Sequence, residues 1–112
     1  MTKHQAIQLF EERKVRTIWD NEHEKWYFSI VDVVAVLTES SDPKQYIKKM
    51  KSRDDMLKLN WGTICTLVAM RSEDGKMHKE MATDLEQFFR LLQSIPSLKS
   101  ESFKQWMVQV AA

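Results

Sequence analysis

Glycine, proline and cysteine are scarce in this chain, and their scarcity excludes several classes of site. The sequence holds two glycines, two prolines and one cysteine among 112 residues. Gly62 and Gly75 stand alone, so neither a phosphate-cradling loop nor a dinucleotide-binding fingerprint can be assembled. Cys65 has no partner for an internal disulfide, which favours a reducing compartment and predicts a cytoplasmic protein.

The residue groups that carry catalysis and metal binding are missing too. The histidines and Cys65 lack the close pairing of a zinc site and fit surface histidines and a buried thiol better. The acids Asp54, Asp55, Glu22 and Glu24 occupy loop-like positions, where carboxylates are usually solvated or cap helices. We therefore expect no enzymatic activity, no cofactor and no metal.

Long apolar runs are absent as well. No stretch approaches the length that spans a bilayer, and the amino terminus lacks the apolar run of an export signal, so we expect no membrane partner. The chain is 43% hydrophobic, and its length suits one domain over residues 1–112 with a single core. Because the last helical pattern runs out at Ala111-Ala112 without a cap, we expect a domain of a longer protein.

Short β-prone runs predict two groups of antiparallel strands. Residues 6–10, 15–19 and 25–28, separated by charged turns, predict a meander. Asp74-Gly75 lies between two further runs and predicts a hairpin in which both turn positions have positive φ. The intervening Asn60-Trp61-Gly62 is predicted to be a loop, with Trp61 partly exposed.

Capping patterns predict where helices begin. Residues 29–32 have the S-x-x-D form of a capping box, in which the serine hydroxyl and the acid satisfy free amide donors, so a helix is predicted over about residues 30–38. The valine-rich segment 26–37 also suits one buried strand, but the capping box favours the helix. Residues 83–86 form a second box that opens an apolar helix, and a last apolar stripe predicts the final helix.

The order of elements predicts the fold class. Strands, two helices, a hairpin and two helices follow one another, and this segregation is typical of an α+β fold. We expect a small antiparallel sheet, built from the amino-terminal strands and the second hairpin, packed with about four helices.

A short turn and a basic helix follow the first capping box. Asp42 suits an N-cap and Pro43 the first helical position. In this second helix Tyr46, Ile47 and Met50 share one side. Three lysines spaced i, i+4 and i+7 share a neighbouring side: Lys44, Lys48 and Lys51. The two helices have the outline of a helix-turn-helix-like reader of duplex DNA.

Positive charge is concentrated around this helix. The net charge is only +1, yet residues 44–58 hold six basic residues and only two acids. Such a stripe is an electrostatic footprint for phosphates, although a lysine-rich flank is also common as plain solvated surface. Eight residues are predicted to contact DNA: Lys44, Gln45, Lys48, Lys49 and Lys51 at the groove, and Lys58, Lys76 and Lys79 on flanking phosphates.

Blocks from about Ile7 to the end of the chain resemble one known family. They include residues 16–20 (RTIWD), 25–34 (KWYFSIVDVV), 42–46 (DPKQY), 60–66 (NWGTICT), 74–76 (DGK), 84–86 (DLE), 89–97 (FRLLQSIPS) and 103–106 (FKQW). With these blocks the chain resembles the BRO amino-terminal domain of bacteriophage and prophage antirepressors and of repeated open reading frames in large DNA viruses. The resemblance implies a DNA-binding regulatory module, acting in the cytoplasm of a bacterial host cell. Longer members usually carry a separate carboxy-terminal region.

The chain departs from the family pattern in two places. Met77 and His78 interrupt a hairpin that is more basic in relatives, which reduces its expected share of phosphate binding. Leu98 and Ser102 stand where relatives often have proline, which affects only the start of the last helix.

Other partners stay open at this point. An antirepressor can bind and disable a repressor protein without touching DNA, and the apolar faces of the last two helices would then be the contact surface. The aromatic residues of the meander, from Trp19 to Phe28, suit a platform for single-stranded bases, although such residues are more often core. A reader of symmetric DNA would be a homodimer, but no residue marks an interface.

Overall fold

The computed structural model describes residues 4–111 as five strands and five helices. In chain order these are β1 His4–Phe10, β2 Arg13–Asp20, β3 Lys25–Ser29, α1 Ile30–Thr38, α2 Pro43–Arg53, α3 Asp55–Ile64, β4 Thr66–Arg71, β5 Met77–Asp84, α4 Leu85–Leu92 and α5 Ser100–Ala111. The strands form one antiparallel sheet in the order β1-β2-β3-β5-β4, so the predicted α+β class is confirmed. None of the described helices is long and apolar enough to cross a bilayer.

Helices α1 and α2 begin where the capping residues predicted. Ser29 Oγ accepts a hydrogen bond from the Asp32 N–H at 3.3 Å, so the chain leaves β3 and enters α1 at once. Asp42 Oδ1 accepts from the Gln45 N–H at 3.2 Å, and Pro43 opens α2. The segment 26–37 is therefore divided between a strand and a helix.

The prediction of a loop over residues 60–62 is wrong, because these residues lie in α3. The Asp54 side chain caps α3 by accepting from the Leu57 N–H at 3.1 Å. Leu57 and Ile64 are buried and Trp61 is half-buried, so one side of the helix packs at i, i+4 and i+7. This burial outweighs the weak helix propensity of asparagine and glycine. Residues 4–111 thus contain five helices rather than about four.

Two turns also differ from their predicted form. The N-cap of α4 is Asp84, whose Oδ1 accepts from the Gln87 N–H at 2.8 Å, while Thr83 is buried in β5. In the β4–β5 hairpin Gly75 has φ 81, but Asp74 does not have positive φ. The Gly75 N–H donates to the Ser72 carbonyl at 2.9 Å, which fits a three-residue loop ending in a glycine bulge.

The core lies between one face of the sheet and the helices. Phe28, Phe88 and Phe103 are fully buried, and α4 and α5 contribute their apolar stripes to it. Because side chains alternate along strands, a smaller apolar cluster forms on the other face. It consists of Ile18, Tyr27, Val68, Met70 and Ala82, and it packs the base of the β4–β5 hairpin against β2 and β3.

The β1–β2 turn generates a stability prediction. Glu11 and Glu12 sit at φ 49 and 68, a region that costs a non-glycine residue about 1–2 kcal/mol. Glycine loses about 0.4–1 kcal/mol more entropy on folding. We therefore expect Glu12→Gly to raise the free energy of unfolding by about 0.5 kcal/mol in urea denaturation.

The matched control is Glu73→Gly, at an exposed loop position without positive φ. It should lower the free energy of unfolding, because glycine relieves no backbone strain at this position and still adds entropy to the unfolded chain. Equal losses in both variants would contradict the turn geometry.

The β2–β3 turn generates a pH prediction. Asp20 is 7% exposed, and its carboxylate contacts His23 Nδ1 at 2.9 Å and accepts from the Glu22 N–H at 3.0 Å. The His23 hydrogen bond is the largest cause that lowers the pKa of Asp20 below its ordinary 3.8. A lowered pKa means that ionised Asp20 stabilises the fold above its unfolded pKa, and that this contribution is lost as pH falls through the folded pKa.

We expect Asp20→Asn to be less stable than the parent at neutral pH, with the gap narrowing as pH falls below 3.8. Urea denaturation across that range measures the gap. Glu22→Gln, at an exposed neighbour, provides the control. A gap of constant size at all pH values would show that Asp20 does not act through its charge.

Candidate nucleic-acid interface

Helix α2 presents positive charge on its outer side. Its inner side packs Ile47 and Met50 into the core. Four polar side chains are exposed on the outer side: Lys44, Gln45, Lys48 and Lys49. Within residues 4–111, none of these three lysines lies within ion-pair distance of a carboxylate. Their ammonium groups are therefore accessible to an anionic ligand.

Lys51 departs from the predicted stripe. It is half-buried, and its Nζ lies 4.7 Å from the ring centre of Trp61 in α3. A cation–π contact of this kind contributes about 0.5–1 kcal/mol, so Lys51 helps to hold α2 against α3. Of the five groove residues predicted from the sequence, the other four remain exposed.

The three predicted flanking lysines lie on two other elements. Lys58 is exposed on α3, Lys76 in the hairpin loop and Lys79 on β5. In the described part of the chain none of them pairs with a carboxylate.

The acid two residues before Lys76 in the sequence already makes two hydrogen-bonding contacts. Asp74 accepts from the Lys76 N–H and contacts His78 Nε2, each at 2.9 Å, and these bonds lower the pKa of Asp74. His78 thus pairs with Asp74 within the β4–β5 hairpin.

A cleft of about 1180 Å³ opens between the start of α2 and the β4–β5 hairpin. Lys44 lines it from α2, and residues 70–74 line it from the hairpin. Lys14 and Arg16 of β2 and Asp32 of α1 line it as well. The two regions predicted to contact DNA therefore border one opening.

Arg16 joins the elements around this cleft. Its Nε and Nη2 form a bidentate pair with Asp32 Oδ2 and Oδ1 at 2.8 and 3.1 Å, and Nη2 also donates to Ser29 Oγ at 3.2 Å. Its Nη1 donates to Glu80 Oε1 at 3.1 Å and to the Arg71 carbonyl at 3.4 Å. The hydrogen bond to Asp32 is the largest cause that raises the pKa of Arg16. All five guanidinium N–H donors are thus used.

The capping box at the start of α1 is therefore only half formed. Asp32 directs its carboxylate to Arg16, including the Arg16 backbone N–H at 2.9 Å, instead of to the Ser29 N–H. Sequence reasoning assigned no role to Lys14, Arg16 or Arg71, which line the cleft. The one local signal was the two-residue spacing of Lys14 and Arg16, which places both on one face of β2.

Neither a metal centre nor a reactive thiol competes with this interface among the described residues. Asp20, Glu22 and His23 bring their ligand atoms within 4.8 Å of one another, but the Asp20 carboxylate already closes the turn through hydrogen bonds. Burial raises the pKa of the Cys65 thiol, which keeps it protonated and unreactive at neutral pH.

The aromatic residues of the meander are committed to packing. Tyr27 and Phe28 are buried, and the half-buried rings of Trp19 and Trp26 lie 5.6 Å apart against each other. Tyr27 and Phe28 are therefore closed to stacking with single-stranded bases.

Comparison with protein families gives a match over nearly the whole described chain. The family model named BRO family, N-terminal domain, matches residues 14–111, a range that includes α2, the β4–β5 hairpin and Arg16. The comparisons with curated proteins and with solved structures give no match. This family groups phage-type regulatory DNA-binding modules and is not a family of enzymes. Because the match covers far more than half of the sequence, the chain belongs to the BRO family and represents its N-terminal domain.

Proposed function

We propose that this domain binds duplex DNA as the regulatory module of a phage or prophage antirepressor. The observation that carries the proposal is a set of exposed lysines on α2 that form no ion pair within residues 4–111: Lys44, Lys48 and Lys49. A lysine that binds a phosphate releases condensed counterions, and a lysine free of carboxylates does so without first breaking an ion pair. The order of a buried α1 and an exposed α2 also suits a helix-turn-helix-like reader, with α2 at the major groove.

The other predicted contacts take different roles in this proposal. Gln45 is exposed beside the lysines, and its amide can pair with the edge of an adenine in the major groove. Lys58, Lys76 and Lys79 bind flanking phosphates. Lys51 is the weakest member of the set, because its ammonium group already lies over Trp61.

Repressor binding is the second candidate. Exposed apolar side chains support a contact surface on α3 rather than the one expected on the last two helices. The apolar faces of α4 and α5 lie in the core, where Phe88, Leu91 and Phe103 are fully buried. Val108 is the exposed large apolar residue of α5 at 47%, whereas α3 carries two such residues, Met56 at 65% and Leu59 at 78% exposed. Their spacing of three residues places them side by side on one helix face.

The duplex-binding proposal is tested by removing two charges from α2. We expect Lys48→Gln with Lys49→Gln to weaken binding to random duplex DNA about tenfold at low salt, and to reduce the slope of log affinity against log salt by about 1.8. Fluorescence anisotropy over a salt titration measures both quantities. Thermal unfolding should stay unchanged, because both side chains are exposed.

The control is Arg90→Gln with Lys104→Gln, which removes two charges from α4 and α5, and its thermal unfolding is measured as well because Lys104 Nζ lies 5.3 Å from the ring centre of Phe89. This control should change affinity less than about twofold, since charges that do not touch the duplex act on it only through screened long-range attraction. Equal losses in the two variants would mean that α2 has no special role.

A co-purification experiment separates the two candidate functions. If repressor binding is the function, Met56→Ser with Leu59→Ser abolishes capture of a phage repressor, and the parent domain gives no shift of random duplex. The duplex-binding proposal predicts a shift that these substitutions leave unchanged. The mass of the complex with DNA then reports whether the domain binds as a homodimer, as a symmetric target requires.

A further inference from the structure

We infer that Arg16 is a positioning residue, which holds the β4–β5 hairpin at a fixed distance from α2 so that both contact one duplex together. The inference rests on the proposed function, since it assigns both elements to DNA. It adds a role for a side chain that itself faces two carboxylates and not the ligand.

The hairpin needs such a support because most of it extends past its neighbour in the sheet. β5 pairs with β3 only from Ala82 to Asp84, since β3 ends at Ser29. Residues 77–81 of β5 pair with β4 alone. A two-stranded ribbon has little stability by itself and twists more strongly than a wider sheet.

Apolar packing supports the hairpin but does not fix its angle. Val68 and Met70 are buried in the small cluster with Ile18 and Tyr27. The hydrophobic effect is non-directional, so such contacts tolerate small sliding movements. A rigid position requires directional bonds in addition.

Arg16 supplies these directional bonds on both sides of the cleft. One edge of its planar guanidinium pairs with Asp32 in α1, and the other reaches Glu80 in β5 and the Arg71 carbonyl in β4. The side chains of Arg16, Asp32 and Glu80 are 21%, 18% and 17% exposed, so water competes little for the bonds. Charge-assisted bidentate pairs of this kind are strong and geometrically strict.

Arg16 also determines the position of the hairpin relative to α2. Asp32 belongs to α1, which is buried and packs directly against α2. Lys44 of α2 and residues 70–74 of the hairpin line the two sides of the cleft that Arg16 also lines. With the hairpin fixed, a phosphate contact by Lys76 or Lys79 follows binding of α2 at little further entropic cost.

A cycle of variants tests this role. Lys76→Gln with Lys79→Gln is measured in the parent and in Arg16→Lys, which keeps the net charge but loses the planar fork. We expect these hairpin substitutions to weaken binding to random duplex about tenfold in the parent and less than about twofold in Arg16→Lys. Lys48→Gln with Lys49→Gln should have the same effect in both backgrounds.

Each outcome decides the inference. A smaller effect of the hairpin pair in Arg16→Lys, with an unchanged effect of the α2 pair, supports it. If the role of Arg16 is purely structural, each lysine pair weakens affinity by the same factor in the parent and in Arg16→Lys below the unfolding temperature. That result overturns the inference. A hairpin pair without effect in the parent also overturns it, whereas the α2 pair separately decides the proposed function.

A second background guards against misfolding of Arg16→Lys. Glu80→Gln removes the negative charge from the contact with the hairpin and leaves the Arg16–Asp32 pair intact. In this background we again measure the factor by which each lysine pair weakens affinity. Each factor compares two proteins that share Glu80→Gln, so it does not depend on the altered net charge.

Discussion

The arrangement of this domain depends on one charged contact between three elements that are distant in sequence. Arg16 on β2 joins Asp32, in the first turn of α1, to Glu80, in the part of β5 that extends past β3. Removing one partner of a poorly solvated pair leaves the other charge without compensation, which destabilises the fold. This contact explains why the acid of the first capping box turns away from its helix.

The remainder of the fold brings α2 to the surface and leaves its exposed lysines outside the ion pairs found among residues 4–111. Five of the nine residues of α1 are buried, so α2 lies outside it, and Ile47 and Met50 fix the rotation of α2 about its axis. The lysines then project to solvent on the opposite side, and none of them lies within ion-pair distance of a carboxylate among residues 4–111. A nearly neutral protein thereby carries a local positive surface, which suits a polyanionic partner.

Much of this architecture could be predicted from the sequence, because its signals are local. The capping residues Ser29 and Asp42, the apolar stripes and Asp74-Gly75 specify α1, α2, the final helices and the hairpin. Helix α3 was missed because Asn60 and Gly62 suggest a turn, and only burial of Leu57 and Ile64 reveals the helix.

The parts of the site that escaped prediction depend on tertiary contacts. The orientation of Lys51 follows from Trp61 on another helix, and the role of Arg16 depends on a partner 64 residues away. The account is tested most directly by following backbone amide NMR signals during titration with a short random duplex at low salt. It predicts that signals from residues 44–49 and from residues 72–79 shift together, at one common duplex concentration. Shifts confined to the outer face of α3 around Leu59, or no shifts at all, would contradict it.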